Sequence, residues 1–183
     1  MNRSVALFQM NSAIFLFGLS AILATQMTVH TVMIVWGRSV FAILALTLIM
    51  VPGKTLPWKA ATASQVGKLG VAGLVLCLHW ITFFLGVYYG GVVLATLGFA
   101  SFPAFVIILN SILERKPPAA PDLAVVALII IGMIMVIPSL DFQNATLPGL
   151  AWGLAAGFLY AVIILGNRIL TRGVPAMASC WWQ

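Results

Sequence analysis

The chain has 183 residues, of which 63% are hydrophobic and 7% charged, with nine Lys and Arg against three acids for a formal net charge of +6. Soluble domains carry roughly 45–50% apolar and about 25% charged residues, so there are too few charges to coat a water-facing surface. The composition excludes a soluble globule, and the basic excess sits at the ends of apolar runs, which reads as a membrane topology signal and not as a nucleic-acid footprint.

A hydrocarbon layer about 30 Å thick needs about 20 apolar helical residues to cross it. Six such runs follow one another: Val5 to Met27, Thr31 to Val51, Leu69 to Tyr89, Val92 to Leu113, the shorter Leu123 to Ile137, and Gly149 to Leu170. None alternates apolar and polar residues as a barrel strand does, so the expected fold is all-α, a multi-span helical bundle. The first run follows Arg3, lacks a small-x-small cleavage site and is interrupted by Gln9 and Asn11, and so reads as an uncleaved span. Gln9, Asn11 and Ser12 are expected to bond neighbouring helices.

The second run encloses Arg38, the one cation inside a span. An Arg in the hydrocarbon centre costs about 2.5–3.5 kcal/mol even on insertion scales. Either it snorkels to the outer headgroups, or it borders a cavity and attracts a substrate carboxylate or phosphate. Ala42 and Ala45 share its helical face and leave room for the second reading.

In the third run His79 and Trp80 fall near mid-membrane, with Thr82, Phe83 and Gly86 continuing the face of His79. His79 is either a neutral imidazole bonded to a neighbouring helix or a proton-coupling group beside a cavity walled by Trp80. Tyr88 and Tyr89 fall where an outer aromatic belt is expected. The fourth run carries Pro103 with Gly98 and Ser101 nearby, so a kink is expected that frees the carbonyl of Phe99 and either shapes packing or opens onto a wet cavity.

The sixth run carries Gly149, Gly153 and Gly157 at four-residue spacing, a small-residue ridge for helix packing. Its Trp152-Gly153-Leu154-Ala155-Ala156 echoes Phe17-Gly18-Leu19-Ser20-Ala21 of the first run, 135 residues earlier and five spans away. Five being odd, the copies would run in opposite directions, as inverted repeats of transporters do; membrane segments draw on few residue types, so chance is the competing account. After span six, Pro175 to Gln183 reads as the start of a seventh span or as an amphipathic tail on the membrane surface.

Arg3, Lys54, Lys59, Lys68, Arg115, Lys116, Arg168 and Arg172 all fall on one side of this topology, while Thr28 to His30, Gly90 to Gly91 and Ser139 to Pro148 carry no cation. The positive-inside rule makes the N-terminus cytoplasmic, in a cell (inner) membrane. Glu114, Asp122 and Asp141 lie at span ends or in connections, which leaves no mid-membrane carboxylate relay. Cys77 and Cys180 imply no disulfide framework. No nucleotide-binding fingerprint or metal-ligand spacing occurs, so no cofactor, metal or nucleic acid is expected. Gly18-Leu19-Ser20 with His79 as base is a chance-level match to an intramembrane serine hydrolase, and an enzyme is not expected.

With these features the sequence resembles the drug/metabolite transporter superfamily, EamA type. The resemblance rests on Trp36-Gly37-Arg38-Ser39, on residues 78–118 (LHWITFFLGVYYGGVVLATLGFASFPAFVIILNSILERKPP) with Leu94-Ala95-Thr96, Pro103 and Glu114-Arg115, on Gly132 and on the glycine-rich start of span six. It implies two inverted five-helix repeats around a central cavity and the movement of small organic metabolites or drugs, often outward. On that template residues 1–138 form the first repeat and residues 148–183 an incomplete start of the second, as if the chain were truncated. The residues read above as bordering a cavity, Arg38, His79, Trp80, Thr82, Ser101 and Pro103, are the candidate substrate-binding set. Expected partners are the lipid bilayer, a small-molecule substrate and either the missing second repeat or further copies of the chain. The alternative is a non-transporting six-span subunit that docks through its glycine ridge.

Overall fold

The computed structural model describes residues 3–54, 56–136 and 146–183. Among them the chain is all-helical: α1 (Arg3–Thr25), α2 (Thr31–Met50), a 3-10 turn (Pro57–Lys59), α3 (Ala63–Phe99), α4 (Phe102–Glu114), α5 (Ala120–Val136), α6 (Thr146–Leu170) and α7 (Ala176–Trp182). Four helices are long and apolar enough to cross a membrane, namely Arg3–Thr25, Thr31–Met50, Ala63–Phe99 and Leu147–Leu170; Phe102–Glu114 and Ala120–Met135 are apolar but shorter. Ile137 at the expected end of span five, and residues 139–145 with Asp141, lie outside the described residues.

The 37-residue α3 is two arms. Gly91 takes φ 77° and ψ 170°, a backbone conformation closed to most L side chains, and reverses the chain between residues 63–90 and 92–99. The arms fold back closely enough that a Cβ on Gly86 would lie 3.1 Å from that of Ala95. The cation-free Gly90–Gly91 connection expected between spans three and four is therefore this turn. The first arm starts six residues before the apolar run, because Thr62 and Gln65 close a capping box: the Gln65 N–H donates to Thr62 Oγ1 at 3.4 Å and the Thr62 N–H to Gln65 Oε1 at 2.8 Å.

Span four, expected as one kinked helix, is broken at Ala100–Ser101. Pro103 stands in the first turn of α4, where its missing N–H costs nothing. The carbonyl quieted by a nearby hydroxyl is that of Gly98, to which Ser101 Oγ donates at 2.6 Å.

α6 lies along both arms of α3, and its glycine ridge is the seam. A Cβ on Gly149 would collide with Gly90, one on Gly153 would come within 2.6 Å of the Ala95 carbonyl oxygen, and one on Gly157 within 3.0 Å of Ser101 Oγ. Such backbone approach is what small-residue ridges permit. The core gathers Ala21, Ala24, Val35, Phe83, Phe84, Val87, Ala95 and Ala156, with Phe17, Trp80 and Phe99 packed against it. Outside this seam large apolar side chains face outward, as with Phe8 (74% exposed), Phe41 (74%) and Met135 (76%). Apolar patches on this scale are at home in hydrocarbon and foreign to a monomer in water.

Polar contacts tie the cation-bearing ends together. Gln65 Nε2 donates to the Arg172 carbonyl at 3.2 Å, Arg168 Nη1 to Asn110 Oδ1 at 2.9 Å, and Trp182 Nε1 to the Pro57 carbonyl at 3.1 Å. At the other end Thr28 to Thr31 share a cavity with Tyr88 and Tyr89. α7 is docked on the protein: Trp181 Nε1 donates to Thr47 Oγ1 at 2.8 Å and Gln183 Nε2 to Asn167 Oδ1 at 3.0 Å. Asn11 departs from expectation, since its amide donates to the Leu7 carbonyl of its own helix at 2.8 Å on an exposed face and not to a neighbour.

Candidate functional site

Arg38, in the first half of α2, meets Trp80 of α3 face-on: the guanidinium carbon is 3.2 Å from the indole centroid and 6.0 Å from the ring centroid of Phe84. Cation–π contact of this kind offsets part of the cost of an Arg in an apolar setting. Its Nη1 is buried and has no hydrogen-bond partner among the described residues. The guanidinium borders a cavity of about 170 Å³ whose lining includes Ala42, Gly73, Cys77, Trp80, Cys180, Trp181 and Gln183. Ala42, one turn along from Arg38, leaves this space open as the helical spacing implied. Among the described residues no acid pairs with Nη1, which is a desolvated donor beside this space.

His79 is 1% exposed, with Nδ1 2.9 Å from the Ala156 carbonyl oxygen of α6. Aromatic rings box it in, their centroids 5.0 Å (Trp80), 5.4 Å (Phe99) and 5.1 Å (Tyr160) from its own. This is the interhelical bond of the packing reading, and His79 is not among the residues lining the cavity at Arg38. Thr82 Oγ1 donates to the carbonyls of Leu78 (2.9 Å) and His79 (2.8 Å), closing on its own helix. Ser101, 5% exposed, is spent on Gly98 and abuts Gly157, with Pro103 beyond it. The structure thus brings Arg38 and Trp80 together at a cavity and gathers His79, Ser101 and the glycine ridge into the helix seam. Ser20 Oγ donates to the Phe17 carbonyl at 2.7 Å, so the serine and histidine of the hydrolase reading are each engaged with backbone.

Sequence reasoning missed that Cys77 and Cys180, 103 positions apart, open onto the same cavity as Arg38; both are free thiols. No local pattern joins them. The docking of α7 against α2 and the first arm of α3 does so.

Compared with protein-family models, curated proteins and solved structures, the chain matches none. Fold and site define a helical protein with four apolar helices long enough to cross a membrane and an arginine held against tryptophan beside a cavity.

Proposed function

We propose that the chain is the N-terminal part of a secondary membrane transporter of the EamA type. It moves small organic metabolites or drugs by alternating access, and Arg38 meets an anionic or zwitterionic solute. The observation that carries this reading is the buried, unbonded Nη1 of Arg38 at a cavity within an apolar, membrane-length helix. A guanidinium retained there at a cost of about 2.5–3.5 kcal/mol is suited to a carboxylate or phosphate oxygen, which forms short, charge-assisted hydrogen bonds with it.

Six crossings are supported by the reversal of α3 at Gly91, which makes two antiparallel arms of one long helix, and by the apolar α4 and α5. A cytoplasmic N-terminus is supported by the linking of the Lys- and Arg-bearing ends with one another. The rival reading of a subunit docking through Gly149, Gly153 and Gly157 is weakened because α3 already occupies that ridge.

The test is solute flux in proteoliposomes containing the complete gene product. Arg38→Ala is expected to insert normally and to lose most flux of organic anions. Undiminished flux would remove Arg38 from the mechanism. A topology reporter at Asn144, which lies outside the described residues, is expected to be external; cytoplasmic activity there would invert the arrangement.

A further inference from the structure

Arg38 borders a second, larger cavity. It is an open groove of about 450 Å³ between α1 and α2, where Ala24, Met27, Met33, Ile34, Phe41 and Phe84 line it beside the guanidinium, Ala24 and Phe84 being buried and the methionines and Phe41 exposed at its rim. Its one hydroxyl, from Ser20, is already donated to the Phe17 carbonyl. The walls offer hydrogen-poor, apolar and polarizable surface, and methionines adapt readily to varied shapes. Phe84 joins the two spaces: it borders the apolar cavity, lies 6.0 Å from the Arg38 guanidinium and stacks on Trp80 at 5.9 Å. One fixed cation therefore stands at the edge of an apolar room, with an aromatic wall continuing from one into the other.

We propose that the solute recognised here is an amphipathic organic anion whose carboxylate pairs with Arg38 while its apolar body fills the cavity between α1 and α2. Trp80 acts as a positioning residue. By covering one face of the guanidinium it leaves the planar edge as the direction from which carboxylate oxygens can approach. A hydrophilic anion of the same charge would leave the larger cavity unfilled, and a neutral amphiphile would leave a buried donor unpaired, so neither satisfies the site. The inference rests on Arg38 being the solute-facing group of the proposed transporter and narrows what that solute is.

The test is calorimetric binding to the purified chain in nanodiscs of zwitterionic lipid, with 4-phenylbutyrate, butyrate and 4-phenylbutanol as probes. Phenylbutyrate is expected to bind about tenfold or more tightly than either partial mimic, and Arg38→Gln to abolish the advantage over the alcohol. Ile34→Ala, at a half-buried position lining the groove, is expected to weaken phenylbutyrate binding about tenfold and leave butyrate unaffected. Equal binding of butyrate and phenylbutyrate, or of acid and alcohol, overturns the proposal. So does loss of phenylbutyrate binding when anionic phosphatidylglycerol is added to the nanodiscs, which would assign Arg38 to a lipid headgroup. The expected binding pattern without flux in proteoliposomes would refute transport and leave the site standing. Flux of unrelated solutes without phenylbutyrate binding would refute the site and leave transport standing.

Discussion

Gly153→Ala is the sharpest probe of how the helices are held. The new methyl carbon would lie 2.6 Å from the Ala95 carbonyl oxygen, 3.1 Å from the Gly98 Cα and 3.2 Å from the Ala95 Cα. All three are backbone atoms, so no rotamer change relieves the contact, and the seam between α6 and the arms of α3 must open. Overpacking of this kind costs about 1–3 kcal/mol. Alanine regains about 1 kcal/mol of helix propensity, so the net expectation is a destabilisation of up to about 2 kcal/mol, or up to roughly thirtyfold in the unfolding equilibrium. Gly18→Ala is the matched control: nothing lies within 4 Å of its new methyl, and only the propensity gain of about 1 kcal/mol acts. Reversible unfolding in mixed micelles, followed by circular dichroism, measures both. The reasoning fails if Gly153→Ala proves as stable as Gly18→Ala.

Other expectations follow from single contacts. Trp181→Phe removes the indole donor to Thr47, worth about 0.5–1.5 kcal/mol, and should raise amide exchange across residues 176–182; unchanged protection would show that α7 is held otherwise. His79→Phe keeps the ring in its aromatic box and deletes the bond to Ala156, so a loss of about 0.6 and at most about 1.7 kcal/mol is expected, with solute binding retained. Abolished binding in that variant would return His79 to the solute site. A methanethiosulfonate adduct on Cys77 or Cys180 should obstruct the Arg38 cavity and suppress anion binding, and the double serine variant should be insensitive to the reagent; equal inhibition of that variant would place the reaction elsewhere.

Much of the helical layout was legible because apolar length and Gly or Pro punctuation are local signals. The turn at Gly90–Gly91 and the seam at Gly149, Gly153 and Gly157 were readable from spacing alone, since close backbone approach demands the absence of a side chain. The early start of α3 was hidden because its first turn, around Gln65 and Lys68, is polar and so fell outside an apolar window. Asn11 misled because an amide in an apolar run invites an interhelical partner, whereas its own i−4 carbonyl was nearer. The pairing of Arg38 with Trp80 had no sequence signal at all: it depends on how α2 and α3 are rotated toward one another.

The reversal at Gly91 has a consequence for biogenesis. The two arms of α3 leave the ribosome well before the segment that seals the groove between them. With roughly fifty residues separating Phe99 from Gly149, and synthesis running at about 5–20 residues per second, that groove stays unfilled for several seconds in each nascent chain. During that interval lipid tails, or a membrane chaperone, must stand in for the glycine ridge.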